Sequence, residues 1–185
     1  MDSKKFLSDY FSNFSQLAKP NSKLIEDLIN LSKIIIETNK KGKKIMIFGN
    51  GGSAAMASHF TVDLTKTNDI RCYNFNEADH ITCFANDYGF ENWIKKTIEF
   101  HGDEDDLLIL ISSSGNSKNM LNACEAARKK KVNKIITFTG FNNDNPLSKS
   151  GDINIWANSS VYNIVENTHQ LWLLSLVDLI NEQKK

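Results

Sequence analysis

The chain has 185 residues, of which 41% are hydrophobic, and its 22 basic side chains balance its 22 acidic ones. This length and apolar content suit one domain over residues 1–185 with a sizeable core, and the balanced charge favours neither a nucleic-acid partner nor an anionic membrane surface. Because no apolar run approaches the length of a membrane span and no signal-peptide core follows Met1, we expect a cytoplasmic protein.

Two helices are predicted at the start of the chain. Apolar positions recur every three to four residues over 4–19 and 22–41, and Pro20 separates the two segments. In the second segment one stripe is formed by Leu24, Leu28, Leu31 and Ile35. We therefore expect an N-terminal helical pair that makes an extension of residues 1–42.

Strands and helices alternate through the rest of the chain. Short apolar strands are predicted near 44–48, 71–75, 107–111, 134–138 and 153–156. Helices are predicted near 53–66, 90–101, 117–130 and 161–182. This alternation is typical of an α/β fold, a three-layer sandwich whose central parallel sheet is covered by helices on both faces. In such sheets ligands bind beyond the carboxyl ends of the strands.

The loop after the first strand, residues 49–53, has the sequence Gly-Asn-Gly-Gly-Ser. Glycines let the backbone approach an anion closely, and the helix that starts near Ser53 directs its unpaired N–H groups to the same place. The loop therefore predicts a phosphate site. Gly49, Gly51 and Ala54 also fit a dinucleotide-binding turn, but Glu77 does not follow the second strand directly, as that site requires.

The loop after the third strand, residues 112–117, is rich in hydroxyls. Ser112, Ser114 and Ser117 surround Gly115 at a second helix start. Their hydroxyls are several neutral donors that a phosphate group uses, whereas a dinucleotide does not require them. We therefore expect one phosphate-binding cleft built from both loops and no nucleotide cofactor. The alternative for each loop is an ordinary strand-to-helix turn with capping serines.

Four separate blocks now agree in order and spacing with a known family. They are residues 49–53, the pair His59-Phe60, residues 80–90 and residues 111–117. In these blocks the chain resembles the sugar isomerase (SIS) domain family, which has a flavodoxin-like fold, and most closely its phosphoheptose isomerases. The resemblance implies conversion of sedoheptulose 7-phosphate to a heptose 7-phosphate for surface-polysaccharide heptose. It also implies a homotetramer with active sites between subunits.

The resemblance places the substrate contacts on the two loops, on a block before Tyr88 and on the last helix. These residues are Asn50, Gly51, Gly52, Ser53, Asn86, Asp87, Ser112, Ser113, Ser114, Ser117 and Glu166. The hydroxyls and backbone N–H groups suit a phosphate, and Asn86 and Asp87 offer hydrogen bonds to sugar hydroxyls. The alternative for Asn86 and Asp87 is a turn ahead of Tyr88.

The family's metal site is altered in this chain. Phosphoheptose isomerases surround a zinc ion with a His-x-x-x-Glu pair and with a Gln and a His of the last helix. Here the pair is His59 and Asp63, Glu166 replaces the Gln, and Leu174 replaces the His. Because leucine binds no metal, the resemblance leaves a zinc ion held by His59, Asp63 and Glu166, with an open position for substrate. The alternative is that these side chains are structural.

Aldose–ketose isomerisation requires a base and an acid. We predict Asp63 as the base and His169, three residues beyond Glu166, as the acid. The alternative for His169 is packing in the apolar stripe of the last helix.

Two functions remain open at this stage. The first is a phosphosugar isomerase, which the retained loops, Asn86-Asp87 and Asp63 favour. The second is a non-catalytic phosphosugar-binding or adaptor protein, of the type that associates with a bacterial replication initiator, which Leu174 favours. In either case the apolar surface of the last helix predicts a homo-oligomer, a tetramer or at least a dimer. That surface includes Leu171, Leu174, Val177, Leu179 and Ile180.

Overall fold

The computed structural model describes residues 1–184, which form eight α-helices, one 3-10 turn and five strands. The helices are α1 Ser3–Ala18, α2 Ser22–Lys40, α3 Gly52–Asn68, α4 Ala78–Tyr88, α5 Trp93–His101, α6 Lys118–Lys129, α7 Pro146–Ser150 and α8 Tyr162–Glu182. The strands are β1 Ile45–Gly49, β2 Cys72–Tyr73, β3 Leu107–Ser112, β4 Lys134–Thr139 and β5 Ile153–Trp156. The 3-10 turn, Phe90–Asn92, precedes α5.

All five strands form one parallel sheet in the order β2-β1-β3-β4-β5. The register pairs Gly49 at the end of β1 with Ile111 of β3, and Ser112 at the end of β3 with Thr139 of β4. The loops that follow β1 and β3 therefore leave the same edge of the sheet side by side. The predicted α/β three-layer sandwich with a parallel sheet is confirmed.

Both faces of the sheet are buried, as a parallel sheet requires. Ile45 and Ile47 point into a core shared with α2, α3 and α8, whereas Met46 and Phe48 point into a core shared with α5 and α6. All residues of β1 and β3 are buried. The loops that follow β1 and β3 are thus held by strands that have no exposed side chain.

The N-terminal helical pair is present where it was predicted. Asn21 caps α2 by accepting a hydrogen bond from the backbone N–H of Leu24 at 2.9 Å. Leu31 and Ile35 of that helix are fully buried in the core. Helix α1 is mostly exposed, and its end is joined to α8 because Trp172 Nε1 donates to the carbonyl oxygen of Ala18 at 3.1 Å.

The structure differs from the sequence-based elements in two helices and one strand. Helix α4 was not predicted because it has no buried residue. It is attached to α5 by the edge-on contact of Phe84 with Phe100, with 5.9 Å between centroids, and by the hydrogen bond between His80 Nε2 and Thr97 Oγ1 at 2.8 Å. Helix α7 has a single turn, with Pro146 in its first turn and Asn145 as its N-cap. Strand β2 has two residues where five were predicted.

The last helix offers less free apolar surface than its sequence suggests. Val177 and Ile180 are buried in the core, while Leu171 keeps 49% of its surface exposed. Within residues 1–184, no helix has the length and apolar character needed to cross a membrane.

Candidate phosphosugar site

The glycines of the loop after β1 are required by its geometry. A Cβ atom at Gly49 would lie 2.3 Å from the carbonyl carbon of Ser53, and Gly51 has a φ of +53°, in the region that favours glycine. Helix α3 begins at Gly52, and no side chain caps its start. The positive end of the helix dipole is therefore free of a capping group and faces the loop.

The hydroxyls of the loop after β3 are not used as helix caps. Ser117 precedes α6 but makes no capping hydrogen bond, and its Oγ lies 3.3 Å from the Oγ of Ser112. Ser113 is buried, and its Oγ has no hydrogen-bond partner among residues 1–184. A buried hydroxyl usually has a partner. The interpretation of these serines as ordinary caps therefore does not hold for Ser113 and Ser117.

The loop after β1 is joined to the first turn of α6, which follows the second loop, by a reciprocal pair of amide hydrogen bonds. Asn50 Nδ2 donates to Asn119 Oδ1 at 3.1 Å, and Asn119 Nδ2 donates to Asn50 Oδ1 at 2.8 Å. Between the loops is a cavity of about 110 Å³, called here the hydroxyl cavity. It is lined by Asn50, Ser53, Ile111, Ser112, Ser113, Ser114, Ser117, Tyr162 and Glu166. Five serine side chains in one small cavity suit the oxygens of a phosphate group.

A second cavity of about 280 Å³ adjoins the first and lies between α3 and α8; we call it the helix cavity. It is lined by Gly52, Ala55, Met56, His59, Glu166, Asn167 and Gln170. Glu166 lines both cavities, so its side chain stands at their junction. The two cavities together offer a hydroxyl-rich pocket for an anionic group and an adjoining space for the rest of a small molecule.

Glu166 is held close to the loop after β1 without a polar partner. A Cβ atom at Gly52 would lie 2.3 Å from Oε2 of Glu166, so the carboxylate occupies the space that the glycine leaves free. Burial raises the pKa of Glu166 above its ordinary value. Within residues 1–184, no donor or cation contacts the Glu166 carboxylate, which makes it unlike the other carboxyl groups of the site.

His59 of α3 has partners on both ring nitrogens. Its Nε2 lies 3.1 Å from Oδ2 of Asp63, one turn further along α3, and its Nδ1 lies 2.9 Å from Nε2 of Gln170 on α8. An amide NH₂ can only donate, so Nδ1 accepts from Gln170 and the ring proton is on Nε2, directed at Asp63. The three side chains form one hydrogen-bonded chain, of which His59 and Gln170 line the helix cavity.

The predicted zinc ligands do not form a metal-binding group. Across residues 1–184, no three His, Cys, Asp or Glu side chains are arranged to hold a metal ion. His59 and Asp63 meet, but Glu166 does not join them as a third ligand, and Leu174 has no donor atom. Because protein zinc sites normally have three or four protein ligands, the residues present do not fit the zinc ion that the resemblance implied.

His169 is enclosed by the core of the protein. It is fully buried, its Nε2 lies 3.0 Å from the carbonyl oxygen of Thr139, and its ring contacts Phe138 and Trp172. Burial lowers its pKa to about 4. It lines neither cavity of the described chain. These contacts favour the packing interpretation, and a role of His169 as the acid stays a prediction.

Asn86 and Asp87 lie apart from both cavities in the described chain. They are exposed in the last turn of α4, where Asn86 Nδ2 donates to Asp87 Oδ1 at 2.9 Å. The interpretation of this pair as a turn is wrong, because both residues are helical. Their contact with substrate stays a prediction.

Tyr162 and Gln170 are among the cavity-lining residues that were missed in the sequence. The aromatic side chain of Tyr162 lines the hydroxyl cavity, and Gln170 contacts His59. A signal for Gln170 was present, because it follows Glu166 by four residues and so lies on the same face of a helix. Tyr162 had no comparable signal, because it precedes the apolar stripe of α8.

The parallel sheet and its two phosphate-type loops define a sugar-phosphate-binding α/β protein. The family model described as SIS domain matches residues 9–140, and the chain belongs to this family. It is similar to the phosphoheptose isomerase of Aliarcobacter butzleri strain RM4018, with 32% identity over 183 residues that cover 96% of each chain. It is also similar to a phosphoheptose isomerase of Buchnera aphidicola subsp. Acyrthosiphon pisum strain Tuc7, with 33% identity over 82% of each chain.

Solved structures of phosphoheptose isomerases are also similar to this chain. A phosphoheptose isomerase from Francisella tularensis superposes with a TM-score of 0.88 at 27% identity, covering 98% of this chain and all of that one. The phosphoheptose isomerase of Neisseria gonorrhoeae gives 0.87 at 25% identity, covering 96% and 98%. The predicted resemblance to the SIS domain family and its phosphoheptose isomerases is therefore confirmed.

Proposed function

We propose that this protein is a phosphosugar isomerase that converts sedoheptulose 7-phosphate to a heptose 7-phosphate for surface-polysaccharide heptose. The observation that carries the proposal is the pair of adjoining cavities that meet at Glu166. One is lined by serine hydroxyls and the other by ionisable and amide side chains. This combination suits a substrate with a phosphate at one end and a reacting carbonyl at the other.

In the proposed complex the phosphate occupies the hydroxyl cavity. Ser113 offers an Oγ that has no partner in the described chain, and Ser112 and Ser117 offer hydroxyls that contact only each other. The uncapped start of α3 adds a favourable dipole for an anion. The chain as a whole carries no net charge, so the phosphate is held by this local arrangement rather than by a global field.

The sugar chain then runs into the helix cavity. Isomerisation moves one proton from carbon 1 of the ketose to carbon 2, through an enediolate whose oxygen must be stabilised. His59 and Glu166 line this cavity, and Asp63 lies behind His59. The assignment of Asp63 as the base stays a prediction. Zinc, when bound in the family, polarises the carbonyl, but the residues present here do not fit it and we assign it no step.

We further propose that the protein works as a homo-oligomer, most simply a tetramer, in the cytoplasm. The support is apolar surface on two helices: Phe6, Leu7 and Phe11 of α1 and Leu171 of α8 are each about half exposed or more. Exposed apolar side chains on neighbouring turns of one helix are typical of an interface. Sedimentation at micromolar concentration tests this proposal, and a monomer would contradict it.

The function is tested by incubating the purified protein with sedoheptulose 7-phosphate and following the aldose phosphate by NMR. One sample receives zinc and another a chelator. Turnover supports the isomerase. If turnover is absent in both samples while the sugar phosphate still raises the melting temperature, the protein is a phosphosugar binder or acts on another substrate, as the adaptor alternative requires.

A further inference from the structure

We propose that Glu166 is the general base of the isomerisation. This inference rests on the proposed function and assigns to one residue the proton transfer that the reaction requires. Glu166 lines both the hydroxyl cavity and the helix cavity, whereas Asp63, the base expected from the sequence, lines neither in the described chain. A substrate that fills both cavities must pass the Glu166 carboxylate.

The carboxylate of Glu166 is free to accept a proton. Between residues 1 and 184, no hydrogen-bond donor and no cation contacts it. The structural carboxylate of Asp106 is a useful contrast, because it accepts from the backbone N–H and the Nζ of Lys44 at 3.0 and 2.6 Å and from the N–H of Asp103 at 2.8 Å. A half-buried carboxylate kept for structure would have such partners.

The other ionisable groups near the helix cavity are already engaged. Of the residues that line it, His59 and Glu166 are ionisable. Both ring nitrogens of His59 have partners, and the Oδ2 of Asp63 is occupied by His59 Nε2. Gln170 and Asp63 thus hold the ring of His59 in one orientation. Within residues 1–184, Glu166 is therefore the ionisable group of this cavity that has no hydrogen-bond partner.

The Glu166 carboxylate packs against the backbone of the loop after β1 at Gly52. Gly52 has no side chain, and the Oε2 of Glu166 lies 2.3 Å from the position that a Cβ atom would take. The carboxylate is therefore packed against the start of α3, beside the phosphate site. With the phosphate in the hydroxyl cavity, the carbon chain crosses this point, and its reacting end lies between Glu166 and His59.

The step balances without a further reactant. The Glu166 carboxylate takes a proton from carbon 1 of the ketose, the C–H electron pair forms the double bond between carbons 1 and 2, and the carbonyl oxygen becomes the enediolate oxygen. The proton of the hydroxyl on carbon 1 passes to that oxygen. The Glu166 carboxylic acid then returns its proton to carbon 2, which leaves the aldehyde at carbon 1 and a hydroxyl at carbon 2.

The test compares Glu166→Gln, which keeps the shape, with Glu166→Asp, which keeps the carboxylate. If Glu166 is the base, Glu166→Gln is expected to lower kcat by about 10²- to 10⁴-fold and to abolish exchange of the substrate's carbon 1 proton in D₂O. The thermal shift produced by the sugar phosphate should persist, because the five serines that line the hydroxyl cavity are unchanged. Glu166→Asp should recover part of the exchange, since a shorter carboxylate still accepts the proton.

Asp63→Asn tests the competing assignment on α3, and it should retain exchange of the carbon 1 proton if Glu166 is the base. A Glu166→Gln variant that keeps wild-type exchange would overturn the inference, and an Asp63→Asn variant that loses exchange would restore Asp63 as the base. A wild-type protein without any turnover would overturn the proposed function, and the inference with it. Wild-type turnover combined with an active Glu166→Gln variant would overturn the inference alone.

Discussion

Gly52 and Glu166 occupy one space: the carboxylate oxygen Oε2 lies 2.3 Å from where a Cβ atom of residue 52 would be. The two residues come from α3 and α8, which pack side by side. At the other end of this contact, Asn68 Nδ2 donates to the carbonyl oxygen of Val177 at 3.2 Å, so the two helices run in the same direction. Gly52 is therefore needed to leave space for the Glu166 carboxylate as well as for the loop after β1.

We expect Gly52→Ala to displace the Glu166 carboxylate and to lower kcat/KM by about tenfold or more, because a misplaced catalytic group loses much of its effect. Gly52 does not have a positive φ, and alanine is the better helix former, so the fold should not be weakened. Steady-state kinetics and a melting curve measure the two effects.

A double-mutant cycle provides the control for this prediction. In a Glu166→Ala background the clash disappears, so adding Gly52→Ala should change activity by less than about twofold. Equal losses in both backgrounds would mean that Gly52 acts through the phosphate loop and not through Glu166.

Ser113→Ala is expected to weaken binding of the sugar phosphate without lowering the melting temperature of the ligand-free protein. The Ser113 Oγ has no partner within residues 1–184, so its removal should leave the melting temperature of the ligand-free protein unchanged or slightly higher. A hydrogen bond to a charged phosphate contributes about 1.5–3 kcal/mol, so affinity for the sugar phosphate should fall about tenfold or more. Isothermal titration measures the affinity.

Ser12→Ala is the matched control for Ser113→Ala, because Ser12 lies on the exposed surface of α1. Ser12→Ala should change neither the melting temperature of the ligand-free protein nor its affinity for the sugar phosphate. An unchanged affinity of Ser113→Ala would place the phosphate outside the hydroxyl cavity.

We expect the activity to be insensitive to chelators. The described residues do not assemble three zinc ligands, so a chelator should change turnover by less than about twofold, and the purified protein should hold far less than one zinc ion per chain. Elemental analysis and NMR turnover assays measure both. Leu174→His, which adds a donor on α8, is expected to raise the zinc content. Stoichiometric zinc in the wild-type protein, with loss of turnover on chelation, would contradict this prediction.

His169 is expected to make the fold sensitive to mild acid. Burial lowers its pKa from 6.5 to about 4 in the folded protein, so below pH 6.5 the unfolded chain binds a proton that the folded chain does not. Stability should therefore fall as pH drops from about 6.5 to about 4, by roughly 3 kcal/mol, and level off below that. Urea unfolding across this pH range measures the loss.

His169→Phe should reduce this pH dependence, since phenylalanine does not titrate. The carbonyl oxygen of Thr139 would keep a partner, because it also accepts from the N–H of Ala157 at 2.8 Å. If the packing interpretation is correct, the variant keeps isomerase turnover at neutral pH. A loss of turnover in a folded His169→Phe variant would support the predicted role of His169 as the acid.

Much of the fold was predictable from short stretches of sequence. Strands β1 and β3 are nearly continuous apolar runs, and the loops at residues 49–53 and 112–117 combine glycines and serines at helix starts. These signals are local, since a glycine with φ of +53° or a buried strand is recognisable from its own neighbours in the chain. The parallel sheet and the phosphate-type edge could therefore be predicted together.

Contacts between distant segments were decided by the tertiary structure alone. The sequence did not reveal that Glu166 stands against Gly52, that Gln170 contacts His59, or that His169 is fully buried. Helix α4 was missed for the same reason, because ring contacts with Trp93 and Phe100 hold it and it has no buried stripe of its own. A side chain's residue type limits which chemistry it can perform, whereas the packing of α3 against α8 determines which side chains share a cavity and which remain unpaired.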